Sequence, residues 1–136
     1  MKIIVFVFIL FISLSAFGQN TTTPTGLLTE LLRAPEMAVI TDPEPEFGWI
    51  FPDDGKSQTA YQILVTSSPD LLEEGKADLW DSEKTQSATS QNISYGGKEL
   101  QSNSSYWWKV KVWGENDFVS DYSEAQKFNT GNFEQR

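Results

Sequence analysis

Cysteine and histidine are both missing from the 136 residues, and methionine occurs only twice. The lack of cysteine excludes a disulfide framework, a thiolate nucleophile and a thiolate zinc site. The lack of histidine removes the commonest general base and the commonest metal ligand. Catalysis would have to rest on carboxylates, lysines or hydroxyls alone, and no cofactor-binding motif is present. Basic residues are scarce as well: ten Lys and Arg stand against nineteen Asp and Glu, a formal net charge of −9 at pH 7. Such a chain would be repelled by a phosphate backbone, which argues against a nucleic-acid partner.

Long apolar runs are also lacking, with one exception at the start. Lys2 precedes a continuous apolar stretch over residues 3–12, and Ala16-Phe17-Gly18 supplies small residues where a signal peptidase cuts. A bilayer-spanning helix needs roughly 20 apolar residues, and Ser13 and Ser15 break this run. Residues 1–18 therefore read as a cleaved secretory signal peptide, leaving a secreted or periplasmic chain with no membrane segment. No cysteine lies near the cut to carry a lipoprotein anchor. Residues 19–26, Thr-rich and containing Pro24, read as a linker. Residues 27–131 then form one domain, and residues 132–136 form a short tail whose only large apolar residue is Phe133.

What the remainder does have is period-2 alternation. Phe47, Trp49 and Phe51 alternate with Glu46, Gly48 and Ile50; Tyr61, Ile63 and Val65 alternate with Ala60, Gln62, Leu64 and Thr66. The clearest case is 105–113, with Tyr106, Trp108, Val110 and Val112 on one face and Trp107, Lys109, Lys111 and Trp113 on the other. Shorter strands are expected at 27–33, 79–82, 92–95 and 126–130, and one helical turn at 69–74, started by Ser68 and Pro69. About seven short strands separated by Pro, Gly, Asp and Asn turns predict an all-β, two-sheet sandwich.

Leu100 and Tyr106, six positions apart at the entry to the strongest strand, look like the tyrosine corner of fibronectin type III and immunoglobulin-like domains. Trp49 and Phe128 resemble the core aromatics of that fold. Four stretches in order are more specific: Glu46-Phe47-Gly48-Trp49, Gln58-Thr59-Ala60-Tyr61-Gln62-Ile63-Leu64-Val65, Asp78-Leu79-Trp80-Asp81-Ser82 and Tyr106-Trp107-Trp108-Lys109-Val110. With Tyr122-Ser123-Glu124, they resemble the N-terminal domain of bacterial α-L-rhamnosidases over nearly all of the mature chain. The resemblance implies a large glycoside hydrolase with several β-domains and an (α/α) barrel, which removes terminal α-L-rhamnose with inversion. No stretch of the 136 residues corresponds to that barrel, so no catalytic residue is carried over. The chain reads as a fragment, a truncated product or a stand-alone remnant, with downstream catalytic and β-domains as its expected partners.

Several residues are candidates for chemistry. Inverting hydrolysis uses two carboxyls about 6.5–9.5 Å apart, one with a raised pKa. Asp53 and Asp54, Glu73 and Glu74, and Asp42, Glu44 and Glu46 are better read as turn formers or solvated charges. Asp53-Asp54-Gly55 could offer oxygens to calcium but lacks EF-hand spacing. Asn20, Asn92 and Asn103 begin Asn-X-Ser/Thr triplets that matter only in a glycosylating host. Trp107 and Trp113, outward if the opposite face is core, are candidates for packing on a neighbouring domain, for packing under the domain's own loops, or for stacking on polysaccharide. The alternative to a rhamnosidase module is thus a free-standing secreted carbohydrate-binding or adhesion module.

Overall fold

The structure, a computed structural model, describes residues 22–53 and 56–135; the expected signal peptide lies outside them. Among the described residues, eight strands are formed: β1 (Thr25–Thr29), β2 (Glu46–Ile50), β3 (Gln58–Thr66), β4 (Trp80–Asp81), β5 (Thr85–Gln86), β6 (Ile93–Ser94), β7 (Ser105–Gly114) and β8 (Gln126–Asn129). Single 3-10 turns cover Pro35–Met37, Pro69–Leu71 and Phe133–Gln135. One antiparallel sheet has the order β1-β2-β6; the other runs β4-β3-β7-β8, with β5 also paired to β3. The two sheets face each other as a sandwich, matching the all-β fold expected from the alternation.

Strand β5 is the element that the alternation did not show. It has only two residues, Thr85 and Gln86, too few for a period to be read. It forms because the preceding turn is held from its side chains. Asp81 accepts hydrogen bonds from the Glu83 N–H (2.8 Å) and from Gln62 Nε2 (2.9 Å), and the Ser82 hydroxyl accepts from the Ile63 N–H at 2.8 Å. Trp80-Asp81-Ser82 is thereby a clip joining this turn to β3. At the other end, β1 starts at Thr25, inside the stretch read as linker, and stops at Thr29. Beyond it the chain reverses through Glu30 and Leu31, both at positive φ.

The core is an aromatic layer between the sheets. Phe47 lies at its centre, with ring centroids 4.5 Å from Trp108 and 5.9 Å from Phe128. Ile63, Val65, Val110 and Val112 fill the space around it. Phe133, in the segment read as a tail, folds back against this cluster, and its N–H donates to the Ser102 hydroxyl. Tyr106 closes a corner as its buried hydroxyl accepts the Gln101 N–H at 2.7 Å, next to buried Leu100.

Two fully buried indoles cross the layer. Trp49 of the small sheet donates through Nε1 to Gln58 Oε1 on the large sheet at 2.8 Å. Trp108 of the large sheet donates to Thr29 Oγ1 on the small sheet at 3.0 Å, and to Gln126 Oε1 at 3.1 Å. Gln58 in turn donates to the Ser87 and Thr89 carbonyls, and Gln126 to the Leu27 carbonyl. Among the described residues, no buried side-chain nitrogen or oxygen lacks a partner.

Strand β8 is short, yet β7 is satisfied along its length. Opposite the upper half of β7 the chain forms no strand, and serine hydroxyls stand in for ladder carbonyls. Ser120 Oγ accepts the Val112 N–H (2.9 Å) and Ser123 Oγ accepts the Val110 N–H (3.1 Å). The Ser120 and Ser123 N–H groups donate back to the Val112 and Val110 carbonyls.

An unpaired buried donor costs about 1–3 kcal/mol. Gln58→Ala should therefore lower unfolding stability by about 3 kcal/mol, because it strands the Trp49 indole together with two carbonyls. In a Trp49→Phe background the same change should cost less, since the donor is gone. Urea titration of the four-protein cycle measures this coupling, and strict additivity would refute the tie. Tyr106→Phe should cost about 1–2 kcal/mol through the stranded Gln101 N–H, read as a lower thermal midpoint.

Candidate interaction face

The outer surface of the large sheet gathers the residues singled out for binding. On β7 the side chains alternate between buried and half-buried, so Trp107, Lys109, Lys111 and Trp113 all point away from the core. The register sets their neighbours: Trp107 lies beside Thr66 and Lys127, Lys109 beside Leu64, Lys111 beside Gln62, and Trp113 beside Ala60. On this outer side Ala60, Gln62, Leu64 and Thr66 are buried, although alternation alone would leave them wet. The reason is position: β3 is central, and long Lys and Trp side chains on β7 lie over it.

The lysines sit against rings. Lys127 Nζ lies 5.4 Å from the Trp107 centroid, and Lys84 and Lys111 lie 4.9 and 5.0 Å from Trp113. Lys109 and Lys111 also approach Tyr122, at 4.6 and 5.0 Å. These are cation–π distances. Tyr122 sits one residue before Ser123, so the step that turns Ser123 inward to β7 turns Tyr122 outward over the lysines. Its hydroxyl donates to Glu74 Oε1 at 2.6 Å, and Lys111 donates to the same oxygen at 2.9 Å.

The electrostatics follow from these contacts. Hydrogen bonds from Tyr122 first, and then from Lys111, hold the Glu74 carboxyl below the usual carboxylate range. Burial first, and then the Glu74 carboxylate, push the Tyr122 phenol well up. Burial pushes the Lys109 ammonium down, opposed by Glu73 and Glu74. Glu73 is lowered by Lys76, 2.7 Å away. Burial raises Asp78, but bonds from the Ser67 hydroxyl and N–H leave it net below its ordinary value.

This arrangement does not support acid catalysis. A glycosidase general acid needs a carboxyl whose pKa is raised, whereas Glu73, Glu74 and Asp78 are all lowered. Asp53 pairs with Lys56, while Asp54 and Gly55 lie outside the described residues, so the loop weighed for calcium is only partly described. Among the described residues, no three acidic side chains gather as a metal site would require. Sugar stacking is also poorly served. Trp107 and Trp113 are six residues apart on one strand, about 20 Å at ~3.4 Å per residue, and cations already lie over the rings. Sequence patterning placed the two indoles on this face. It did not bring Tyr122, Lys84 or Glu74 to this face, because they come from separate connections.

A family model for the Rha78A-like, N-terminal immunoglobulin domain matches residues 24–134. The chain belongs to this family. An α-L-rhamnosidase of Formosa agariphila is 44% identical over 116 residues, which are 83% of this chain and 12% of that protein. An α-L-rhamnosidase of Alteromonas sp. (strain LOR) is 36% identical over 90 residues, 64% of this chain and 10% of the relative. Among solved structures, the α-L-rhamnosidase from Dictyoglumus thermophilum superposes with a TM-score of 0.72 at 32% identity, over 82% of this chain and 13% of that one. The Streptomyces avermitilis α-L-rhamnosidase complexed with L-rhamnose gives a TM-score of 0.72 at 28% identity, over 82% and 11%. The Rha78A-like N-terminal domain described here thus spans about an eighth of the length of such relatives.

The lowered Glu74 carboxyl predicts the acid limb of stability. Its contribution is complete above its unfolded pKa and is lost as pH falls through the lower folded value. Between about pH 5 and 3, the Glu74→Gln domain should lose less stability than the parent on acidification. At pH 7 it should be less stable by no more than about 1 kcal/mol, because the pair is solvent-screened. Chemical denaturation at several pH values reads both effects.

Proposed function

We propose that this chain is the non-catalytic N-terminal β-sandwich of a secreted α-L-rhamnosidase-like glycoside hydrolase that removes terminal α-L-rhamnose, and that it serves by packing against the domains that do the chemistry. One observation carries this reading: most of this chain matches a small part of the curated α-L-rhamnosidases, 83% against 12% for the Formosa agariphila protein. The lowered Glu73, Glu74 and Asp78 carboxyls, each bonded to neighbours on the sandwich surface, support a structural role for these side chains. Export rests on the apolar run at residues 3–12 behind Lys2.

The purified chain should release no nitrophenol from 4-nitrophenyl α-L-rhamnoside above a buffer blank, under conditions where a full-length relative does so readily. Release by the chain would overturn the reading. Fused ahead of the remaining segment of the Formosa agariphila enzyme, in place of the matching part, it should raise the thermal midpoint of that segment by several degrees. No change would show that it does not brace its neighbours.

A further inference from the structure

Large apolar side chains are left exposed in one place more than any other. Leu31, Leu32, Met37 and Val39 are 72, 39, 84 and 62% exposed, and they fall within nine residues of one connection, between β1 and β2. Ala34 and Ala38 in the same stretch are also exposed, and Arg33 and Glu36 are its only charges. In a chain of net charge −9, residues 31–39 make a neutral, apolar strap. Surface apolar residues scattered singly need no explanation, but a run of them marks a contact surface.

The strap is tied to β8 and to the chain just after it through its backbone, with its apolar side chains outward. Gln126 Nε2 donates to the Arg33 carbonyl and Asn129 Nδ2 to the Glu36 carbonyl. The Ile40 N–H donates to the Asn129 carbonyl, and the Gly131 N–H to the Ile40 carbonyl. The strap is entered through a two-residue turn closed by reciprocal bonds between Thr29 and Leu32. Its central residues, Glu30 (φ 51°) and Leu31 (φ 63°), occupy the left-handed region that such turns normally fill with Asn and Gly. A bulky leucine kept there against steric preference, with its side chain in solvent, is what a preorganised anchor looks like.

The position of the strap names its occupant. A Cβ built at Gly131 would lie 3.3 Å from Val39 Cβ, so the end of the last strand runs out beside the strap, and Phe133 then folds back onto the core just before the described residues end. In relatives an N-terminal domain of this family is about an eighth of the chain, with the remainder after it. We propose that residues 31–39 are the docking strap for the folded domain that follows this sandwich in a longer polypeptide, with Leu31, Met37 and Val39 inserted into an apolar surface of that domain. The inference rests on the architectural reading above and assigns it a surface, in place of the Trp107 and Trp113 face.

Met37 is the only methionine after Met1, which makes it a single reporter. Its oxidation by hydrogen peroxide is followed by peptide mass spectrometry in two proteins: the 136-residue chain, and a chimera in which residues 24–134 replace the matching segment of the Formosa agariphila enzyme. In the isolated chain Met37 should react at the rate of free methionine, and in the chimera at least tenfold more slowly. Hydroxyl-radical labelling of Trp107 and Trp113 should be the same in both. Unchanged Met37 with newly protected tryptophans would overturn the strap and leave the architectural reading standing. No protection at either place would overturn both. Slow oxidation in the isolated chain, with a dimer mass by light scattering, would assign the strap to a second copy and overturn the proposal. If the chimera does not fold, the solved Dictyoglumus thermophilum structure decides: solvent-exposed residues at the strap positions of that full-length chain would overturn the proposal, and buried ones support it.

Discussion

Two indole N–H groups hold this sandwich together where other domains of its shape use a disulfide. Trp49 reaches from the small sheet to Gln58 on the large one, and Trp108 reaches from the large sheet to Thr29 on the small one. Each donor is fully buried, so its hydrogen bond cannot be traded for one to water. Tyr61 packs on Trp49 and Phe47 on Trp108, with Phe128 behind Phe47. Because Gln58 and Gln126 also bond to backbone carbonyls of neighbouring segments, the positions of residues 87–89 and of the start of β1 follow from the same two ties.

Both outer surfaces follow from that constraint. With Trp108 fixed inward, Trp107 and Lys109 must point outward, since successive side chains of a strand alternate. Gln126, drawn under the strap to meet Trp108, also offers its amide to the Arg33 carbonyl, so the core tie and the strap share one side chain. The outer face of the large sheet is self-satisfied: its lysines neutralise Glu74 and lie over the tryptophan and tyrosine rings. The strap is not, because its side chains have no such partners within the domain. This contrast is why the strap, and not the tryptophan face, is the surface proposed for docking.

Much of the fold was legible because alternation reports which face is buried. Phe47 and Trp49 on β2, Tyr61, Ile63 and Val65 on β3, and Tyr106, Trp108, Val110 and Val112 on β7 were readable as inward, and they make up most of the core. Strand β5 was not readable, because two residues carry no period. The burial of Leu64 and Ala60 on the outward side was not readable either, since it depends on which neighbours flank β3. Of the candidate face, Trp107 and Trp113 were visible as exceptions on a polar side, while Lys84, Tyr122 and Glu74, which surround them, come from other connections, 9 to 39 positions away in the chain.

By itself the sequence determined that this is a cysteine-free, histidine-free, acidic β-sandwich, and it determined which residues face the core, because composition and local periodicity are properties of the chain. Only the tertiary structure decided that the indoles tie one sheet to the other, that the tryptophan face is already covered by its own lysines, and that the apolar residues after β1 stand in solvent beside Gly131. The physical reason is that burial, pairing and exposure depend on contacts between residues far apart in sequence, as between Trp108 and Thr29, and no local pattern of residues records them.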